Sequence, residues 1–302
     1  MRGFCEPMKV AVVSHFDRHD LADDYFVYSL RCYRRYFDYI VVVSTSMLDT
    51  VQRSRILIYA DKLVVKENRG YDFVSWRTGF EELNVERCKE ISFVNDSFYG
   101  PVNDIEVFMG RGRSIPVDVW GATLSMQFAP HIQSFFMTFN ENIIRSQFLE
   151  TFWSRIEVLH DKNEIIQRYE IGLSQELCAE GFSIGAVVDM RNLTIQDRHA
   201  ALQDNLFSGE TANLNQERYY LEEDGPNPMQ LFWGHALRAG VPFVKIELLR
   251  DNPLDANLSA VFKYLERHRW YELGLIIRHL ERIIPSEPFL ELRRKYLRGG
   301  DK

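Results

Sequence analysis

Residues 67–101 read ENRGYDFVSWRTGFEELNVERCKEISFVNDSFYGP, and the punctuation of this stretch decides the fold. Asn68-Arg69-Gly70 is turn-forming, the next segment carries apolar residues at helical spacing, and the apolar run ISFV ends abruptly in Asn95-Asp96-Ser97. One helix and one strand thus lie between two polar, turn-prone mouths. Upstream the alternation repeats. KVAVVSHF (9–16) is short, β-branched and apolar, as suits a buried parallel strand. LADDYFVYSLRCYRRYF then sets Tyr25, Tyr28, Leu30, Tyr33 and Phe37 at roughly helical spacing. DYIVVVST reads as a strand, 47–55 as a helix and KLVVKEN as a strand. The order β-α-β-α-β-α-β through Val94 predicts an open, Rossmann-type α/β sheet, with its ligand crevice at the carboxyl ends of the strands. Both polar clusters should face that crevice.

Beyond Pro101 the pattern changes. MGRGRSIPVDVWGATLS is rich in glycine and turn residues, and HIQSFFMTFNENII begins with two-residue alternation, predicting a strand over 132–139. KNEIIQRYEIGLSQELCAEGF predicts one long helix stopped by a left-handed Gly181. Residues 195–225 hold few apolar clusters and read as a long loop. The remainder reads as helices with one short strand at PFVKIEL. We therefore expect a core over 1–194 and a mainly helical extension over 195–302 packed on it.

Composition excludes several classes. The 302 residues are 46% hydrophobic and 26% charged, ordinary for a globular protein. A net charge of -7 argues against sequence-independent nucleic-acid binding, which requires clustered cations. No apolar run approaches the roughly 20 residues of a membrane span, and the N-terminus lacks a continuous apolar signal region, so a cytoplasmic location is expected. Cysteines at 5, 32, 88 and 178 have no metal-ligand spacing and read as reduced thiols. GRGR at 110–113 has neither P-loop nor dinucleotide-binding spacing.

Candidate chemistry lies at the two mouths. Asn68 and Gly70 shape a turn, Asp72 is placed to accept hydrogen bonds from a base or ribose, and Arg77 to meet a phosphate; a helix cap with an exposed charge is the plainer alternative. Asp96 follows an apolar strand, a position suited to a metal or a sugar phosphate as well as to a simple turn. Trp120 offers a flat apolar face to a pyranose ring, with Asp118 and Gly121 beside it, or packs in the core. His131 and Gln133 share one strand face and could touch donor or acceptor. Lys245 and Arg250 could neutralise a diphosphate or be solvated.

Together GYDFVSW, NDSFYGP, DVWGATLS, HIQSFFMTF, YEIGLS and NPMQLFWGHALRAGVPFVKIELLRDNP resemble, in order from about residue 9 to residue 254, the rhamnan synthesis F family of bacterial polysaccharide glycosyltransferases. The resemblance implies a GT-A-like fold and an inverting transfer, a rhamnosyl transfer by the family's name. The donor would be a nucleotide sugar, dTDP-rhamnose first among them, and the product a cell-envelope glycan such as O-antigen. It implies donor binding at Asp72, Arg77 and Asn95-Asp96-Ser97, the last standing where related enzymes carry Asp-x-Asp. Asn95 and Ser97 replace the outer acids, leaving Asp96 as a weak ligand for Mg²⁺ or Mn²⁺. Related enzymes also open a helix with acid-acid-x-x-Leu-x-x-x-Leu-x-x-x-Gly, the second acid serving as base. Tyr169 replaces the first acid, and Glu170 keeps the second.

A lipid-linked acceptor, a peripheral place at the inner face of the membrane and association with other polysaccharide-assembly proteins are further expectations. The departures at Asn95, Ser97 and Tyr169 keep open a rival reading, a catalytically silent module that binds nucleotide sugar or glycan. An α/β hydrolase is disfavoured, because the Gly-x-Ser-x-Gly spacing at Gly181-Phe182-Ser183-Ile184-Gly185 follows the predicted helix instead of ending a strand as a nucleophile elbow does.

Overall fold

The computed structural model describes residues 7–206, 211, 227–268 and 270–296. Its strands are β1 (Met8–His15), β2 (Tyr39–Ser44), β3 (Lys62–Val65), β4 (Cys88–Val94), β5 (Phe98–Tyr99), β6 (Val119–Ser125), β7 (His131–Ile132), β8 (Phe136–Asn140), β9 (Ile184–Asp189) and β10 (Val244–Lys245). Eight of them form one sheet. From one edge the order is β3-β2-β1-β4-β8-β6, with β9 along the far side of β6 and β7 pairing with the carboxyl end of β6. β3, β2, β1 and β4 are mutually parallel, β8 is antiparallel between β4 and β6, and β9 runs parallel to β6. The expected open α/β sheet is what the chain forms.

β1 shows why. Val10, Ala11, Val12 and Val13 are all buried; Val10 and Val12 join the apolar layer on one face, Ala11 and Val13 that on the other. A strand covered on both sides needs an unbroken apolar run rather than alternation. On the first face α3 (Tyr71–Phe80) packs with Phe73 and Trp76 beside Phe93 and Trp153, and the Trp76 indole donates to the Val94 carbonyl at 3.0 Å. Gly79 lets this helix approach closely, since a Cβ there would stand 2.3 Å from Val12.

The second face carries α1 (Asp24–Tyr33), α2 (Thr50–Leu57) and α4 (Ile105–Ser114), each opened by an aspartate cap: Asp23, Asp49 and Asp104. After β8 come α5 (Glu141–Arg145), α6 (Phe148–Ser154), α7 (Lys162–Ile165) and α8 (Gly172–Ala179). The single helix expected there is interrupted. Residues Ile166–Ile171 form a π turn, and Gly181 then stops α8 at φ +85°.

Two further expectations are corrected. The strand over 132–139 is broken at Gln133–Phe135 and its register against β6 shifts: the Gln133 N–H still donates to the Thr123 carbonyl, but the Ser134 N–H turns to Glu170 and the Phe135 carbonyl accepts from the Asn95 N–H. The expected loop over 195–225 starts instead as helix α9 (Ile195–Asn205), nucleated by a reciprocal Thr194/Asp197 capping box; 207–210 and 212–226 lie outside the described residues.

The C-terminal part supplies α10 (Pro228–Leu231), α11 (Trp233–Arg238), α12 (Ile246–Arg250), α13 (Leu258–Arg267), α14 (Leu273–Ile283) and α15 (Ser286–Tyr296). It is joined to the sheet side by β10, which pairs with β5, and by α14, whose His279 ring lies tilted with its centroid 4.4 Å from that of Tyr25 and meets the Tyr99 hydroxyl at 2.7 Å. Cys32, Cys88 and Cys178 are free thiols. No described helix is long and apolar enough to cross a membrane.

Candidate functional site

A cleft of about 1030 Å³ opens at the carboxyl ends of β1 and β4, roofed by α12 and the residues around the end of α14. Three of the carboxylates that line it are the acids expected from the sequence. Asp72 enters from the first turn of α3, after Gly70 and Tyr71 at φ +79° and +54° redirect the chain; Asp96 follows β4; Glu170 projects from the π turn. Such turns recur at functional sites because the extra residue rotates side chains off the regular helical faces.

Hydrogen bonds join the acids to the strand ends. Asp72 accepts from the Ser14 hydroxyl at 2.7 Å and from the Asn95 amide at 3.0 Å. Asn95 in turn accepts from the Ser97 backbone N–H and hydroxyl at 3.1 and 2.8 Å. Asp96 accepts from the Phe16 N–H at 2.7 Å. Burial raises the Asp72 carboxyl above its ordinary range, the nearby Glu170 charge adding to this while Ser14 and Asn95 oppose it. Burial pushes Asp96 up to about 8; the charges of Asp72 and Asp17 act in the same direction and the Phe16 N–H against it. Asp96 thus holds a proton more readily than an ordinary carboxyl, and a bound cation would favour its ionised form.

Glu170 is set differently. Its Oε2 accepts from the Ser134 N–H at 2.8 Å and from the Ser134 hydroxyl, and its Oε1 lies 3.5 Å from His131 Nε2. Burial raises its pKa, yet His131 and Ser134 together outweigh that and hold it below the usual carboxylate range. It is an ionised carboxylate in the cleft wall, with Oε2 committed to Ser134 and Oε1 facing His131.

The expected site residues divide. Asp72, Asn95, Asp96, Ser97, Gln133, Glu170, Lys245 and Arg250 line the cleft. Lys245 is held 3.0 Å from Glu247, and Arg250 pairs with Asp251 at 2.6 Å. His131 is buried directly behind Glu170. Asn68 is exposed on the turn and Gly70 serves as the left-handed entry to α3; neither lines the cleft.

Arg77 also points elsewhere, donating to the Ile156 carbonyl at 2.6 Å. Five residues on a helix rotate a side chain by about 140°, so Asp72 lines the cleft while Arg77 does not. Asp118 precedes β6 at the opposite end of the sheet, where Ser183 and Asn142 hold its carboxylate; burial is outweighed and its pKa is lowered. Trp120 and Gly121 are core: the indole fills the space over Gly112, and a Cβ on Gly121 would meet Ile132 at 2.2 Å.

The sequence reading missed Ser14, Phe16, Asp17, Ser134 and Lys162, all of which line the cleft or hold its acids. Ser14-His15-Phe16-Asp17 ends the first strand as Asn95-Asp96-Ser97 ends the fourth, and that shared position was the available signal. Asp17 is buried and bound at both oxygens by Arg282 from α14, which also reaches Asp23 at 2.8 Å. Among the described residues, Asp17, Asp23 and His279 form a group whose ligand atoms lie within 4.8 Å of one another, but Arg282 already bridges the two acids. Lys162 stands at the mouth and makes no ion pair among the described residues.

An open α/β sheet with its polar cluster in the crevice at the carboxyl edge defines a doubly wound ligand-binding protein. The chain belongs to the rhamnan synthesis protein F family, whose model matches residues 40–302. That family is described by the synthesis of rhamnan, a polysaccharide. Virulence protein VirA of Vibrio anguillarum is 28% identical over 254 residues, covering 81% of this chain and 80% of that one. Protein y4gN of Sinorhizobium fredii is 26% identical over 154 residues, 49% of this chain and 40% of that one. Among solved structures, 4-diphosphocytidyl-2C-methyl-D-erythritol synthase of Anaerococcus prevotii has a TM-score of 0.40 at 10% identity, covering 60% of this chain and 86% of that one. TarS 1–349 of S. aureus has a TM-score of 0.31 at 11% identity, covering 95% and 86%. At these scores the structural likeness is distant.

Proposed function

We propose that the protein transfers a sugar, rhamnose from dTDP-rhamnose in the first instance, to a hydroxyl of a growing bacterial surface polysaccharide with inversion at the anomeric carbon. The observation that carries this reading is Glu170: an ionised carboxylate in the cleft wall, its Oε2 held by Ser134 and its Oε1 beside His131. An inverting transfer requires one such base to take the acceptor proton as the oxygen attacks opposite the leaving diphosphate. Asp72 and Asn95 would orient the nucleotide, while Lys162, Lys245 and Arg250 would face the diphosphate.

A divalent cation fits the cleft only with the donor's help. Mg²⁺ is commonly held by one or two carboxylates plus substrate phosphates, and Asp96 is the acid placed to contribute. A bound ion would supply charge for the leaving diphosphate; the proton transfer from the acceptor is the work of Glu170. A lipid-linked acceptor and assembly partners belong to the same reading.

The test is incubation of the purified chain with dTDP-rhamnose, UDP-sugars and GDP-sugars, with and without Mn²⁺, followed by NMR of the new linkage. Donor consumption with an inverted anomeric centre is expected. Retention, or consumption of no donor with any glycan acceptor, would overturn the proposal.

A further inference from the structure

Resting on the reading of Glu170 as base, we propose that His131 is its positioning residue and that the two act as one proton-accepting unit. Glu170 Oε1 takes the acceptor's hydroxyl proton, and His131 Nε2 receives it from behind.

The geometry fixes the tautomer. His131 Nδ1 lies 2.8 Å from the Ala129 carbonyl oxygen, and a carbonyl only accepts, so Nδ1 carries the hydrogen. In the neutral ring the lone pair therefore resides on Nε2, which points at Glu170 Oε1 from 3.5 Å. Two lone-pair atoms facing each other repel; a single proton between them turns the repulsion into an ion pair. The other carboxylate oxygen is occupied by Ser134, so the oxygen left for an incoming hydroxyl is the one that His131 faces. His131 is 3% exposed, which shuts its ring away from solvent and leaves Glu170 as its charged neighbour.

The surroundings agree. Glu170 is the charged group acting on His131 among the described residues, Asp72 on α3 acts on Glu170's side of the cleft, and Lys162 on α7 acts on Asp72. Burial lowers the His131 pKa, but the Glu170 carboxylate outweighs it and raises the imidazole above its ordinary 6.5. A carboxyl held as acidic as Glu170 would readily return a proton to the acceptor; passing it on to imidazole prevents that return.

The step balances. The acceptor O–H bond breaks, its oxygen bonds to the anomeric carbon, and the bond from that carbon to the diphosphate oxygen breaks, the electron pair leaving with the nucleoside diphosphate. The proton passes to Oε1 and then to Nε2, leaving carboxylate and imidazolium; once product has left, it returns through Oε1 to water in the cleft before the next turnover.

The experiment is an NMR pH titration of the full chain labelled with ¹⁵N-histidine, the His131 signal being identified by its loss in H131Q, together with the pH profile of dTDP-rhamnose turnover. The expected result is an Nδ1–H neutral tautomer with a midpoint above 6.5 that falls by about one pH unit or more in E170Q. Wild-type turnover should rise with pH through the same midpoint, and H131Q, which keeps an amide donor for Glu170 but cannot take a proton, should lose that limb while its melting temperature stays close to wild type. A neutral ring protonated on Nε2, a midpoint indifferent to E170Q, or an unchanged pH profile in H131Q would overturn the proposal. The NMR arm needs no substrate. Full turnover by E170Q would remove the base itself and the proposal with it, whereas an inactive E170Q with an unshifted His131 removes only the pairing.

Discussion

Asn95 donates its side-chain amide to Asp72 at 3.0 Å, so the polar cluster ending β4 and the acid opening α3 are one assembly. The two mouths of that helix-strand unit are polar because each supplies half of the same cleft wall, with Ser14 from β1 completing it at 2.7 Å.

Replacing Asn95 with Ala should leave a half-buried carboxylate without one of its donors. We expect a loss of about 1–2 kcal/mol in stability, and weaker binding of dTDP-rhamnose. Urea unfolding and calorimetric titration measure the two effects separately.

Asp96 gives a pH signature. Its folded-state pKa, about 8, lies above the unfolded value near 3.8, so the folded state binds more protons between them. Stability contributed by this group is present below pH 4 and falls as pH rises towards 8. Asp96→Asn should flatten that fall and raise stability at pH 8–9 by about 1–3 kcal/mol, with little change at pH 4. An unfolding series over pH that shows no difference between the two proteins would refute the buried, raised carboxyl. Because a cation requires the ionised form, Mn²⁺ binding at Asp96 should strengthen with pH up to about 8 in wild type.

Arg282 holds Asp17 and Asp23 from the other side of the cleft, at 19% side-chain exposure. Arg282→Met should cost about 3–5 kcal/mol, since breaking a buried pair leaves an uncompensated charge. Adding Asp17→Asn should recover part of the loss in a double-mutant cycle. Burial raises the Asp17 pKa, but hydrogen bonds from Arg282 and His19 outweigh it and hold it down, so its stabilising share is present above pH 4 and lost as pH falls through the lowered folded value.

Arg77 separates a donor-binding role from a structural one. Its guanidinium donates to the Ile156 carbonyl and lies 3.6 Å from Glu81, away from the cleft. Arg77→Met should lower the melting temperature and leave the dTDP-rhamnose dissociation constant within about twofold of wild type, a margin of about 0.4 kcal/mol. A tenfold weaker complex in a folded variant would put Arg77 back at the donor.

The sheet was legible because β1 and β2 carry unbroken apolar runs, Val10–Val13 and Ile40–Val43, a pattern that buried parallel strands impose and that local sequence preserves. Asp72, Asn95 and Asp96 were legible for a related reason: the carboxyl ends of such strands lie on one edge, so topology alone gathers them. Trp120 and Asp118 show where this fails. Nothing local distinguishes a Trp stacked on a sugar from one packed over Gly112, and Asp118 stands at the amino end of β6, a side of the sheet that the motif DVWGATLS does not reveal. The π turn was hidden as well, since an extra residue in a helical run leaves the apolar spacing nearly intact. Ser134 and Arg282 act across 36 and 259 or more residues of chain, distances at which a single sequence carries no pairing signal.

The most direct measurement is single-turnover transfer from dTDP-rhamnose by wild type and Glu170→Gln, with donor affinity measured on the same preparations. If Glu170 is the base, donor affinity stays unchanged and the rate falls by about 10²–10⁴ in the variant. A Glu170→Gln protein that keeps its rate within a few-fold of wild type would contradict that role.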